Sequence, residues 1–487
     1  MKLFLLSFLS FYLISVSGAQ DFPGYRAGNY TGVNGVFFNP ANIADSRYRF
    51  DVNLFSVSSL VGNNKASFKL KNITESFDSD SLKQQFIGKN SGPSTGIINL
   101  NVHGPSVMFN AAKGAFALTT KVRTMANLID IDGELINQLS EDVNNDIAYP
   151  YAVNSGDNMR IAVTSWTEFG LSYARVLKNE VAHFFKGGLS LKYLAGVGNG
   201  YIGMSNIKGT LTQDAAQNTY LTNATGRISA GFGGLNISDL EPGDLKMEST
   251  GFGGDIGFVY EWRPEGDSYK LASGNEMQDR NKYKLKVGIA LLDFGKMKFT
   301  KDAQRSGSYD LGITGNERLD LDELGEEEID DYNAFFKSKP EFFTPVQGNN
   351  ETQYKVSLPT TLQMDVDYHL HRGFYASLAT QLSLTGKNTE VYNNLYYNSI
   401  TLTPRYEGKA LGFYVPVSYN QLAKFNAGIS LRAGPFFVGS GSILTAALGS
   451  SKQADVHIGL RFGGLKKDIE KKEEKKERKE NKRKERK

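Results

Sequence analysis

The 487-residue chain has no cysteine, only 13 prolines, 5 histidines and 2 tryptophans. Without cysteine there is no disulfide framework, no thiolate-held metal and no lipoprotein anchor. The histidines, His103, His183, His369, His371 and His457, show no metal-ligand spacing, and the glycines form no phosphate-cradling loop. Asp455 and His457, like Asp367 and His369, share a strand face two residues apart, which reads as a structural or solvated pair. No catalytic residue, metal or cofactor is therefore expected, and no enzyme. Past the N-terminus no run of 18 apolar residues occurs, which excludes a membrane protein built on helices. A basic body is missing as well. The formal net charge of +3 is misleading, because residues 466–487 carry 13 basic against 7 acidic side chains. Setting these and Lys2 aside leaves 41 basic and 45 acidic residues, so no nucleic-acid partner is expected.

What the sequence does contain is glycine and aromatics: 51 Gly, 31 Phe and 24 Tyr. Residues 1–19 read as a secretory signal, with Lys2, an apolar stretch from Leu3 to Ile14, and Ser17 and Ala19 before the cut. After it, hydrophobicity alternates with period two. In Lys282–Met297 the odd positions Tyr283, Leu285, Val287, Ile289 and Leu291 are apolar. In Thr352–Leu370 the even positions run Tyr354, Val356, Leu358 through Tyr368 and Leu370; in Ala454–Phe462 they run Ala454, Val456, Ile458, Leu460 and Phe462. Successive strand side chains point to opposite faces, so each segment has one apolar and one polar face.

This alternation predicts fourteen strands: 48–58, 97–110, 114–125, 159–177, 182–197, 251–263, 282–297, 352–370, 373–385, 396–406, 410–419, 424–432, 434–442 and 453–463. Short and long connections alternate, as in an outer-membrane barrel with short periplasmic turns and long external loops. The even count places both termini on the periplasmic side. Apolar faces that end in Trp262, Tyr368, Phe374 or Phe462 suit headgroup girdles rather than the core of a soluble sandwich. The predicted fold is all-β: a 14-stranded antiparallel transmembrane barrel over 48–463, with a pre-barrel segment at 20–47 and a basic tail at 464–487. Helices are expected in external loops at 127–147 and 316–338, and a surface hairpin near 201–212 and 217–228. Pro359, in the middle of a strand, predicts a broken ladder or a gap in the wall, and Pro404 and Pro416 raise the same question.

On the polar phase lie Lys121, Arg123, Glu168, Lys186, Lys192, Asp255, Lys284, Lys286, Asp365, Asp367, Arg405, Arg432 and Arg461. They either pair across the lumen and with the segment inside it, or line a path for a charged solute.

"FFNPANIAD" (37–45), "EFGLSYARVL" (168–177), "HFFKGGLSLKYLAG" (183–196) and "YKLKVGIALLDFG" (283–295) together resemble the FadL-type outer-membrane barrels, and most nearly their Bacteroidota branch, which includes PorV-like secretion proteins. The resemblance implies that 20–47 folds into the lumen as a plug, with Asn39, Pro40 and Ala41 at its turn. It also implies an apolar pocket, for which Phe37, Phe38, Leu128, Ile131, Leu135, Phe335 and Phe336 are candidates; the alternative is that these pack loop against loop. The function it implies is passive uptake of a small hydrophobic or amphipathic compound. A non-transporting scaffold that docks secretion, motility or surface proteins is the alternative. Expected partners are outer-membrane lipid, a hydrophobic ligand, and a periplasmic or surface protein.

Overall fold

The computed structural model describes residues 21–72, 93–111, 114–132, 149–156, 158–234, 249–270, 276–325, 332–346, 352–387 and 389–466. The segment 1–19, expected to be a secretory signal, and the tail beyond Lys466 lie outside them. Strands in chain order are β1 (Tyr48–Asn63), β2 (Ser94–His103), β3 (Ser106–Ala111), β4 (Gly114–Ile131), β5 (Tyr151–Asn154), β6 (Met159–Asn179), β7 (His183–Gln213), β8 (Thr219–Gly234), β9 (Ser249–Trp262), β10 (Leu285–Thr300), β11 (Gly307–Gly312) and β12 (Arg318–Asp320). They continue with β13 (Phe343–Pro345), β14 (Gln353–Ser357), β15 (Thr361–His371), β16 (Phe374–Ser383), β17 (Ser399–Glu407), β18 (Leu411–Tyr414), β19 (Val417–Asn420), β20 (Lys424–Ala427), β21 (Ile429–Ala433), β22 (Phe436–Ser440) and β23 (Gln453–Leu465).

β2 and β3 are halves of one stave, as are β14 and β15, β18 and β19, and β20 and β21. With β5, β8, β11, β12 and β13 set aside as an extension, this leaves fourteen antiparallel staves. β1 pairs with β23 from Tyr48↔Leu465 to Gly62↔Gln453, so the sheet closes on itself and has no free edge in the wall.

Each stave turns a large apolar side chain outward. In order these include Leu54, Leu100, Leu118, Leu171, Leu191, Phe258, Ile289, Val366, Leu378, Leu402, Phe413, Leu431, Phe436 and Ile458, all exposed. A continuous apolar belt around a closed cylinder is stable only against lipid. Aromatics border it: Trp262, Tyr368, Phe374 and Tyr406 near the short turns, and Tyr193, Phe252, Tyr419 and Phe425 at the far rim. The chain is thus an integral outer-membrane β-barrel.

The alternation does not run unbroken. On β10 the register slips between Leu291 and Phe294, where Asp293 has a φ of 57°. Below this bulge Val287 and Ile289 face out; above it Met297 and Phe299 are buried and Lys296 and Lys298 are exposed. The neighbouring stave breaks at Leu358–Thr360, and there Tyr354, Val356 and Leu358 turn inward while Lys355 faces out. The sequence expectation of one apolar outward phase through 354–370 is therefore corrected above the break. The physical reason is that a bulge adds a residue and flips every side chain beyond it. Past the membrane the wall becomes an ordinary water-facing sheet with an apolar interior. The break at Pro359 is closed rather than open. Pro359 is buried, Leu358 N donates to Gly295 O at 3.0 Å, and Thr360 Oγ1 donates to Asp293 O at 2.8 Å. Pro404 and Pro416 belong to one irregularity, where β18 gives way to β19 opposite β17.

Beyond the far rim β7 continues to Gln213 and pairs with β8, which carries β11 and β12; β13 pairs with β11, and β5 with β7. These enclose a separate core that includes Ile131, Leu211, Leu221, Leu311, Phe335, Phe336 and Phe343. The helix expected over 127–147 begins instead as strand, since Leu128 and Ile131 lie in β4; Leu135 lies outside the described residues. At 316–338 the first residues pair with β8, and the described residues after them form helices at Leu321–Gly325 and Tyr332–Ser338.

Candidate functional site

Residues 21–47 enter the barrel as short 3-10 turns and occupy the lumen on the short-turn side. Wall and plug are joined by specific polar contacts. Arg461 is the main one: its Nε donates to Tyr25 Oη (2.9 Å), its Nη1 to Asp51 Oδ1 (2.7 Å), and its Nη2 to Tyr48 Oη (3.0 Å) and to Tyr30 O. The second Asp51 oxygen accepts from Val33 N at 2.8 Å. Glu407 accepts from Asn29 N at 3.0 Å, and Tyr283 Oη stands 2.8 Å from Asn29 Oδ1.

The Asn39-Pro40-Ala41 turn lies against strands β7, β9 and β10. Asn39 Oδ1 accepts from Ala41 N at 2.9 Å, and its Nδ2 donates to the carbonyls of Phe258 and Ile289, both at 3.2 Å. The wall supplies glycines where the turn arrives. A Cβ on Gly188 would lie 2.4 Å from the Pro40 carbonyl carbon, and one on Gly257 would lie 2.1 Å from Asn39 Oδ1. Next along the chain, Asp45 meets Arg47 at 2.9 Å and Arg263 at 3.1 Å. Burial alone would raise the Asp45 carboxyl, but Arg47 and Arg263, with Lys282 and Lys466, hold it well below the usual carboxylate range. Burial pushes the Lys466 ammonium down to about 8 despite the pull of Asp45.

A second plug enters from the opposite end. The connection between β16 and β17 carries Leu395, Tyr396 and Tyr397 into the barrel, where all three are buried. Asn394 Nδ2 donates to Asn127 Oδ1 (3.0 Å) and Ala162 O (2.9 Å), and Leu395 N donates to Asn127 Oδ1 (2.9 Å). Asn393 Oδ1 accepts from Ser357 N at 2.8 Å.

Where the two plugs approach, the wall contributes a compact ion cluster of three cations and three carboxylates. Arg123 Nη1 contacts Asp293 at 2.7 Å and Glu168 at 3.1 Å, while its Nη2 donates to Tyr396 Oη at 2.7 Å. Lys192 contacts Asp293 at 2.6 Å and Asp255 at 2.7 Å, and Lys121 stands 3.8 Å from Glu168. Asn99 Nδ2 donates both to Asp21 Oδ1 of the first plug (2.8 Å) and to Tyr396 Oη of the second (3.4 Å). The balanced charge removes the cost of burying six ions singly.

Two small cavities lie beside the plugs. Between the plugs lies a cavity of about 20 Å3 beside Phe22, Phe37, Phe38, Lys121 and Tyr396, room for a water or two. A cavity of about 70 Å3 lies between the first plug and β10, β15 and β16, beside Arg26, Asn42, Lys286 and Asp365.

The charged residues named from the sequence fall as follows. Lys121, Arg123, Glu168, Lys192 and Asp255 meet in the cluster. Lys186 donates to Ala44 O at 2.9 Å, Lys286 stands 3.5 Å from Asp367, and Arg405 grips Asp367 through both nitrogens at 2.7 Å. Arg432 donates to the carbonyls of Lys409 and Gly408 and lies over the Tyr30 ring. Asp365 lines the 70 Å3 cavity. Lys284 is placed differently: its ammonium lies over the outward Tyr368 ring and donates to Leu370 O, while Tyr283 turns inward to donate to Asp367 at 2.6 Å. The aromatic ring is held inside by its hydroxyl, and the phase shifts by one at the strand end. The pocket candidates separate. Phe37 and Phe38 belong to the first plug, whereas Leu128, Ile131, Phe335 and Phe336 pack in the extension core. Sequence reasoning missed Asp293 and Tyr396. The signal for Asp293 was an acid in the apolar phase of "ALLDFG"; Tyr396 had none beyond the dense "YNNLYYN".

The family model for DUF5723, a family of unknown function, matches residues 40–441. No curated protein matches. Solved structures similar to the chain include a Pseudomonas aeruginosa FadL homologue (10% identity, 92% of this chain and 99% of that one, TM-score 0.44). Others are the ΔS2S3 mutant of TodX, a monoaromatic hydrocarbon channel (9%, 93% and 98%, 0.43), and the Ralstonia pickettii toluene transporter TbuX (11%, 93% and 100%, 0.42). With more than four-fifths of its length under that one family model, the chain belongs to DUF5723.

Proposed function

We propose that this protein is a non-conducting outer-membrane scaffold that docks secretion, motility or surface proteins through its external extension and its periplasmic end. The observation that carries the reading is the pair of plugs in the lumen: they are joined through Asn99 and a balanced ion cluster, and the cavities beside them measure about 20 and 70 Å3. In this reading the short-turn end and both termini face the periplasm, and the lumen charges are structural. It agrees with the PorV-like side of the sequence resemblance. The test is gentle purification from outer membranes with mass spectrometry of what co-purifies. A stoichiometric protein partner is expected; a preparation with no partner that speeds entry of an apolar solute into vesicles would overturn the reading.

One observation favours a second reading, uptake of a small hydrophobic compound. On the lipid side of the wall, beside the Gly104–Pro105 break, lies an apolar hollow of about 730 Å3 lined by Val107, Leu118, Phe169, Leu171, Leu191 and Phe252. The His103 and Phe37 rings lie 3.9 Å apart, tilted by 38°, on the inner side of the same break. Displacing the first plug would connect the two faces. Uptake that rises when residues 21–47 are deleted, and is measurable before deletion, is the result this reading needs.

A further inference from the structure

Three lysines come to the outer face of the wall where the apolar belt ends. Lys296 and Lys298 on β10 and Lys355 on β14 are all exposed. Lys298 and Lys355 are direct cross-strand partners, and Lys296 pairs with Phe252 on the other side. Phe252 is 75% exposed and packs edge-on against Tyr193 at 5.8 Å, so it marks the rim girdle. Among the described residues none of the three lysines has a carboxylate or other hydrogen-bonding partner.

Two facts need a cause. Like charges directly opposite on neighbouring strands, with Cβ atoms about 5 Å apart, repel. Moreover, the lysines face outward only because both staves invert, through the bulge at Asp293 and the break at Leu358–Thr360. Had the lower phase continued, Met297 and Phe299 would lie outside and the lysines inside. The wall therefore turns three lysines outward on one patch, starting about two residues, or about 5 Å of height, above outward-facing Phe294. This is the level of lipid headgroups rather than of acyl chains or free water.

We propose that Lys296, Lys298 and Lys355 form a site for the phosphate of an outer-leaflet glycolipid, whose acyl chains lie along the belt below. A phosphate accepts charge-assisted hydrogen bonds from several ammonium groups at once and relieves the repulsion between Lys298 and Lys355. The site uses the orientation given above, with the extension outside the cell.

The test is native mass spectrometry of the full mature chain in detergent with three probes: bis-phosphorylated lipid A, the same lipid dephosphorylated, and phosphatidylglycerol. Wild type should retain the phosphorylated lipid A at least tenfold better than the dephosphorylated form. The triple variant K296Q/K298Q/K355Q, checked for folding by its heat-modifiable gel mobility, should lose that preference. Equal retention of the two lipid A forms by wild type, equal retention by wild type and variant, or phosphatidylglycerol bound as well as lipid A each overturns the proposal. Orientation is read separately. Because the chain has no native cysteine, K355C should be labelled on intact cells by an impermeant maleimide; absence of labelling overturns the outer-leaflet source while leaving the plugged scaffold standing.

Discussion

An arginine scan along β10 tests the inverted wall in one strand. From Leu285 to Phe294 the strand climbs nine steps of about 3.3 Å at a tilt of about 40°, close to 23 Å, which matches an apolar belt about 25 Å tall. Ile289 therefore lies near the midplane, and it is 45% exposed to lipid. Ile289→Arg should cost about 2–4 kcal/mol. Lys298→Arg, outward and above the belt, should cost about nothing. Met297→Arg is the informative variant. Met297 is 1% exposed and belongs to the interior cluster of Phe299, Tyr354 and Val356. An unpaired guanidinium there should cost about 3–5 kcal/mol, as an uncompensated buried charge does. The assay is equilibrium urea unfolding from phospholipid vesicles, followed by tryptophan fluorescence and heat-modifiable gel mobility. If Met297→Arg is silent, the simple alternation holds to the strand end and the bulge at Asp293 does not invert the face.

Asp293→Ala should destabilise by about 3–5 kcal/mol in the same titration, because it strips Arg123 and Lys192 of a shared carboxylate. Tyr396→Phe removes the bond from the Arg123 guanidinium and the longer one from Asn99, and should cost about 1.5–3 kcal/mol, chiefly through the guanidinium; a larger loss would mean that the second plug detaches. Gly188→Val should push Pro40 away and speed hydrogen exchange across residues 32–43 without unfolding the wall; unchanged exchange would place the turn elsewhere. For pH, the Asp45 carboxyl is held below its unfolded value. Its contribution is thus fully present above about 4, the ordinary carboxylate pKa, and is lost as pH falls toward the folded value. Protease protection of residues 21–47 should stay level from pH 8 to about 5 and decline only below about 4; a decline near pH 6 would contradict the pairing with Arg47 and Arg263.

The staves were legible because lipid and lumen impose opposite chemistry on successive residues. Val287 and Lys286, or Val366 and Asp367, can be told apart by type alone. The same rule misled above the rim. Tyr354, Val356 and Leu358 look like Tyr368 and Val366 in sequence, but they face protein, because a buried core and a bilayer select the same side chains. Only Asp293-Phe294-Gly295 and Leu358-Pro359-Thr360 betray the slip. The alternation places Tyr283 on the apolar phase; its hydroxyl partner Asp367 lies 84 positions away, beyond any local pattern. The resemblance implies a plug at 20–47 with Asn39-Pro40-Ala41 at its turn, and that turn packs against Gly188 and Gly257 of the wall. The second plug was invisible, since Asn393 to Tyr397 enter the lumen through long-range contacts with Asn127, Ala162 and Arg123 and follow neither strand nor helix period.

The account rests on a lumen closed from both ends. Single-channel recording of the purified mature chain in a planar bilayer tests that most directly. The predicted record is flat, with steps appearing only after residues 21–47 and the 389–397 segment are both deleted; steady ohmic conductance from the intact chain would contradict it.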